Sequence, residues 1–69
     1  MKLSARNQIP GTIVAIEKGA TTSHVSIDIG GKTVMAAITN EAVADLALTV
    51  GKTAYAVIKA SDVMVGVED

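Results

Sequence analysis

Hydrogen-bond donors that suit a small anion occur at three separate places in the chain. Ser4 and Arg6 lie near the start, Thr39 lies in the middle, and Lys59 with Ser61 lies near the end. A tetrahedral dianion is held by many N–H and O–H donors and few formal charges. Each residue alone has an ordinary role, as an exposed charge or a helix cap. Together they predict an oxyanion site, provided that the fold brings them close to one another.

Catalytic and metal-dependent chemistry finds little support in the sequence. There are four serines but a single histidine, His24, to activate any of them, and there is no cysteine. The run Gly30–Thr33 is similar to the end of a phosphate-binding loop, but it lacks the first glycine and lies between predicted strands. A plain hairpin is the better interpretation. We therefore expect no enzyme activity, no metal site and no cofactor.

Composition argues against two large classes of partner. The formal net charge is -1 and Tyr55 is the one aromatic residue, whereas OB-type nucleic-acid binders use a basic groove and aromatic platforms. No apolar run approaches the length of a membrane span, and residues 1–8 do not resemble a signal peptide. We expect a cytoplasmic protein that binds neither nucleic acid nor membranes.

The apolar pattern predicts a mainly β fold. A polar segment at Ser4–Gln8 is compatible with a short edge strand, and Pro10–Gly11 is a turn signal. Asn40–Ala47 has helical spacing, and Thr39–Asn40 is a helix N-cap pair. The predicted strands, by alternation and β-branched residues, cover 12–16, 24–29, 33–38, 53–59 and 63–67. Five strands with one short helix between strands 3 and 4 match an OB-type barrel. An SH3-like barrel, or a sandwich built only as an oligomer, fits the periodicity equally well.

Size and composition also predict association between copies. The chain has 69 residues, enough for one domain, and a single copy of this length has a marginal core. It is 49% hydrophobic but contains no Phe or Trp, so its apolar side chains are small. Since cysteine is absent, subunit association is the remaining means of stabilisation. We expect a homo-oligomer.

The string Ser4–Gln8, SARNQ, strongly resembles the opening of the molbindin (Mop) domain of the transport-associated OB (TOBE) group, a domain also found in a molybdate-dependent transcriptional regulator. The resemblance covers residues 1–69 as a single domain. It continues through Lys18–Ala20, Gly30–Gly31, Ile38–Thr39, Leu46–Leu48, Gly51–Lys52, Tyr55–Ser61 and Val63–Val65. It implies an OB-type hexamer assembled from three dimers. Such assemblies bind molybdate, and also tungstate, at subunit interfaces and are thought to store or buffer the ion in molybdenum homeostasis.

The resemblance also implies which residues contact the anion. Some relatives carry a serine where this chain has Ala42, so only a backbone N–H is available there. A second site near the three-fold axis of the family's assembly is placed by the same resemblance at Lys18, Gly19, Ala20 and Thr21. The main oxyanion site is expected to comprise Ser4, Ala5, Arg6, Thr39, Ala42, Lys59, Ala60 and Ser61.

In the expected mechanism, Arg6 and Lys59 supply charge from different subunits, and hydroxyl and backbone donors complete the shell. A shell made only of donors favours an anion without a proton, because hydrogen phosphate would need an acceptor. Two alternatives remain open at this stage. One is a protein-interaction or regulatory TOBE-type module of a molybdate transport system without a storage role, and the other is an OB-type binder of nucleic acid.

Overall fold

A curled antiparallel sheet of four strands forms the body of the protein. The computed structural model describes residues 1–69. The strands are β1 (Asn7–Lys18), β2 (Thr22–Asp28), β3 (Thr33–Thr39) and β4 (Thr53–Ile58), in the order β3-β2-β1-β4. Helix α1 (Asn40–Asp45) lies between β3 and β4, and a short 3-10 turn (Ala60–Asp62) follows β4. The mainly β class of OB type, with a helix between the third and fourth strands, is confirmed.

The predicted fifth strand at 63–67 does not form, so the sheet has four strands and not five. Val63, Val65 and Val67 do alternate along the sequence, but the segment pairs with no strand and all its residues are exposed. An alternating apolar pattern specifies a strand only when a neighbouring strand is available to take its backbone hydrogen bonds. Within one chain, this segment has no such neighbour.

The predicted turn at Pro10–Gly11 is also wrong, because β1 runs straight through it. Pro10 pairs with Tyr55 and Gly11 with Ala54 in β4. Glycine is needed at position 11 for close packing, since a Cβ there would lie 2.4 Å from the main-chain oxygen of Asp28. The dipeptide therefore allows close approach of β1 and β2 instead of reversing the chain.

Other boundaries also shift by a few residues, among them those of β2, which was predicted at 24–29. Only the last two residues of the Ser4–Gln8 segment belong to a strand, and β4 ends at Ile58, one residue early. Helix α1 ends at Asp45 instead of residue 47, where Ala47 has a positive φ of 51°. The Gly30–Gly31 hairpin is confirmed: both glycines have positive φ, and their N–H groups donate to Oδ1 of Asp28.

The core of the single chain is small. Its buried apolar residues are Ile13, Val25, Ile27 and Ala56, and the hydroxyl residue Ser23 is buried beside them. Along β2 the buried residues alternate with more exposed ones, as the period-two pattern predicts. No helix in the structure is long and apolar enough to cross a bilayer.

Candidate oxyanion site

The pairing of β1 with β4 brings the two ends of the chain together. Asn7, the first residue of β1, pairs with Ile58, the last residue of β4. The residues just before β1 and just after β4 consequently share one end of the sheet. They line a cavity of about 590 Å³, here called the main pocket, whose walls are Ser4, Ala5, Arg6, Val57, Lys59, Ala60, Ser61 and Asp62. The main pocket is thus lined by Ser4–Arg6 and Lys59–Ser61, two segments that the sequence analysis predicted for the oxyanion site.

Side chains that the sequence did not single out hold these segments in place. Asn7 Nδ2 donates to the main-chain oxygen of Ile58 at 3.2 Å, which ties the entry of β1 to the exit of β4. Gln8 Nε2 donates to the main-chain oxygen of Ala5 at 2.8 Å and folds the N-terminal segment back on itself. On the other wall, the Asp62 N–H donates to the Lys59 carbonyl at 2.9 Å. The last two residues of SARNQ therefore act as scaffold for the first three.

The main pocket carries two positive side chains and one negative one. Arg6 and Lys59 line it from the same chain, so a single copy supplies both cations that were expected from different subunits. Asp62 also lines it and leaves a formal charge of +1. Asp62 was not among the residues expected at the site, and its carboxylate is an acceptor in the wall of a pocket that was expected to hold donors alone. The position of Asp62 directly after Ser61 was the only sequence signal for it.

Thr39 and Ala42 lie elsewhere in the chain. Thr39 pairs with Thr22, next to the end of β1 at Lys18, whereas the main pocket adjoins the other end of β1. At about 3.3 Å per residue, the 12 residues of β1 separate these ends by roughly 36 Å along the strand. The Thr39 hydroxyl oxygen accepts from the Ala42 N–H at 3.1 Å, as a helix cap does. One chain alone does not bring Thr39 to the main pocket.

The residues expected at the second site form the turn between β1 and β2, close to Thr39. Lys18 and Gly19 line a polar groove of about 260 Å³ together with Glu17, Thr22 and His24. Ala20 and Thr21 continue the turn and are exposed. The structure therefore keeps these four residues together but far along β1 from the main pocket. No group of three or more His, Cys, Asp or Glu side chains is arranged to hold a metal ion.

Comparison with known proteins decides the family. The sequence pattern of the TOBE domain family matches residues 3–65. The chain belongs to the TOBE domain family. The resemblance to its Mop group is confirmed by a relative of Haemophilus influenzae called "Probable molybdenum-pterin-binding protein", which is 55% identical over 69 residues. That match covers 99% of this chain and 100% of the relative.

Two solved structures share the fold of this TOBE domain. MopII from Clostridium pasteurianum superimposes with a TM-score of 0.90 at 36% identity, over 96% of this chain and 100% of MopII. The cytoplasmic molybdate-binding protein ModG, in a form with molybdate bound, superimposes with a TM-score of 0.91 at 45% identity. The match to ModG covers 99% of this chain and 49% of the ModG chain. The four-stranded sheet is thus that of Mop-type proteins.

Proposed function

We propose that this TOBE domain binds molybdate, and tungstate as its chemical analogue, as a non-catalytic homo-oligomer that stores the ion in the cytoplasm. The observation that carries the proposal is the main pocket. It brings together Arg6, Lys59 and two serine residues from segments that are more than 50 residues apart in the sequence. Proteins similar to this chain include ones whose names refer to molybdenum or molybdate.

The chemistry of the main pocket suits a dianion. A guanidinium donates two parallel hydrogen bonds to two oxygens of one anion, and an ammonium supplies a second charge. Ser4 and Ser61 add neutral donors on either side. Because Arg6 and Lys59 are exposed in the single chain, water would screen their attraction to an ion. Strong binding therefore requires that another surface cover the pocket.

A second copy of the chain is the cover that we propose. The residues Val63–Val67, here called the C-terminal tail, leave three valines and a methionine 50–92% exposed. An apolar groove of about 500 Å³ opens above the core between the edge strands β3 and β4. Its floor includes Ile13 and Ile27, and its walls include Ile38 and Tyr55.

The tail and the groove complement each other. Both β3 and β4 have a free edge that accepts another strand, and the tail has the β-branched, alternating sequence of a strand. Burying one Val or Met side chain contributes about 1.5–3 kcal/mol. We propose that the tail of one protomer supplies the missing fifth strand in the groove of its partner, and that three such dimers form a hexamer in which Thr39 reaches the main pocket of a neighbour.

Calorimetry with sodium molybdate, combined with native mass spectrometry, tests the proposal. We expect an oligomer that binds molybdate and tungstate, and a large loss of affinity in Lys59→Ala. Lys32→Ala is the matched control, because Lys32 is an exposed lysine in the β2–β3 turn, away from the main pocket. A monomer without heat of binding would refute the proposal. An oligomer that binds no anion but retains a larger partner protein would favour the interaction module instead.

A further inference from the structure

The side chain of Asn40 connects a buried hydroxyl with the exposed turn between β1 and β2. Ser23, which is 2% exposed, donates from Oγ to Asn40 Oδ1 at 2.6 Å. The Asn40 amide nitrogen donates to the main-chain oxygens of Gly19 at 3.0 Å and Ala20 at 3.4 Å. Because the buried hydroxyl holds Oδ1, the NH2 group of Asn40 faces the turn.

This arrangement sets the direction of two peptide groups. No peptide bond in the chain is cis, and in a trans peptide the N–H points opposite to the preceding carbonyl. The N–H groups of Ala20 and Thr21 must then point away from Asn40. Neither N–H donates to another group of the protein. Two neighbouring N–H donors that face the same side form the kind of backbone concavity that binds anions.

We propose that Asn40 is the positioning residue of the second oxyanion site. It does not touch the anion but donates to the carbonyls of Gly19 and Ala20, so that the N–H groups of Ala20 and Thr21 face the ligand. Ser23 fixes which end of the Asn40 amide faces the turn. The inference rests on the proposed function, because the ligand is the same oxyanion.

Two substitutions at position 40 test the inference in the full chain. Asn40→Ala removes the amide without adding charge. Asn40→Asp keeps the acceptor for Ser23 but loses both donors, and an acidic residue in the first turn suits helix α1. Ala44→Asp is the charge control. It places a carboxylate in helix α1 four residues after Asn40 and leaves the bonds from Asn40 to the β1–β2 turn intact.

The readout is the set of backbone amide resonances during titration with sodium molybdate. In the wild type we expect the amides of Ala20 and Thr21 to shift, as well as those of Ser4–Arg6 around the main pocket. In Asn40→Ala and Asn40→Asp the turn amides should require at least tenfold more molybdate, with the main-pocket titration unchanged. Ala44→Asp should titrate like the wild type at both places. A residue that mattered only for folding would alter both sets together.

Three results would overturn the inference. Unchanged titration of Ala20 and Thr21 in both position-40 variants would show that Asn40 does not position the turn. In the wild type, molybdate could shift the amide resonances around the main pocket but not those of Ala20 and Thr21. That result would show that the turn holds no anion, and the proposed function would stand. If molybdate shifted neither set of amide resonances in the wild type, the proposed function would be rejected as well. If Asn40→Ala does not fold, Asn40→Asp decides the question.

Discussion

The substitution Val65→Asp probes the step on which the proposed assembly depends. Val65 lies in the middle of the C-terminal tail and is 92% exposed in the single chain. If the tail of one protomer lies in the apolar groove of its partner, this side chain passes from water to an apolar surface. A carboxylate at that position would lose the apolar contact and would also have to be desolvated.

The expected effect is large. Burial of one valine side chain contributes about 1.5–3 kcal/mol, and nearly all of the side chain is available to be buried. In a two-fold dimer each residue occurs twice, so the dimer loses about 3–6 kcal/mol. At about 1.4 kcal/mol per factor of ten, the dissociation constant should rise by about 10²–10⁴-fold, before the cost of desolvating the carboxylate is counted.

Sedimentation equilibrium and native mass spectrometry over a dilution series measure this change. Val50→Asp is the matched control, because Val50 is 64% exposed and lies outside the apolar groove. We expect Val50→Asp to assemble like the wild type and Val65→Asp to dissociate at a much higher concentration. Equal dissociation constants for all three proteins would show that the tail does not occupy the groove.

Three further predictions concern the main pocket and the sheet. Arg6→Ala should weaken molybdate binding by about 1.5–3 kcal/mol, roughly 10–150-fold by calorimetry, because a charge-assisted donor is lost; wild-type affinity would remove Arg6 from the site. Asp62→Asn should tighten binding by about 1 kcal/mol, roughly fivefold, since it removes a negative charge from the pocket wall; an unchanged affinity would mean that Asp62 faces away from the ion. Gly11→Ala should lower the midpoint of thermal unfolding by several degrees, because its Cβ would lie 2.4 Å from the Asp28 oxygen and force β1 from β2; an unchanged midpoint would contradict that close approach.

Local sequence patterns correctly predicted the strands β2 and β3 and the hairpin between them, because short-range interactions determine these features. The alternation in β2 and β3 reflects one buried face, and the hairpin between them needs the positive φ of Gly30 and Gly31. The predicted turn at Pro10–Gly11 was wrong because the sequence alone does not distinguish a glycine required for close packing from one required for a turn. The C-terminal tail misled because its strand pattern has no pairing partner within one chain.

The candidate site was harder to predict from the residues alone. Arg6 and Lys59 line one pocket because Asn7 pairs with Ile58, a pairing that no local periodicity specifies; the family resemblance placed the two residues in one site. Asn40 appeared only as part of a helix-cap pair, because hydrogen bonds from a side chain to distant carbonyls leave no sequence pattern. Asp62 was not among the expected site residues, and only the shape of the main pocket gives it a role.

Association and anion binding must be linked in this protein if the proposals hold. Only 5 of 69 residues are buried in the single chain, and the donors of the main pocket are exposed there. A ligand that binds the assembly and not the free chain stabilises the assembly by mass action, by about 2.7 kcal/mol at a hundred times its dissociation constant. The linkage is reciprocal: the factor by which molybdate tightens association equals the factor by which association tightens molybdate binding. Diluting the protein until it dissociates must therefore weaken molybdate binding. Molybdate affinity that stays constant across the dissociation transition would show that each chain holds its ion alone.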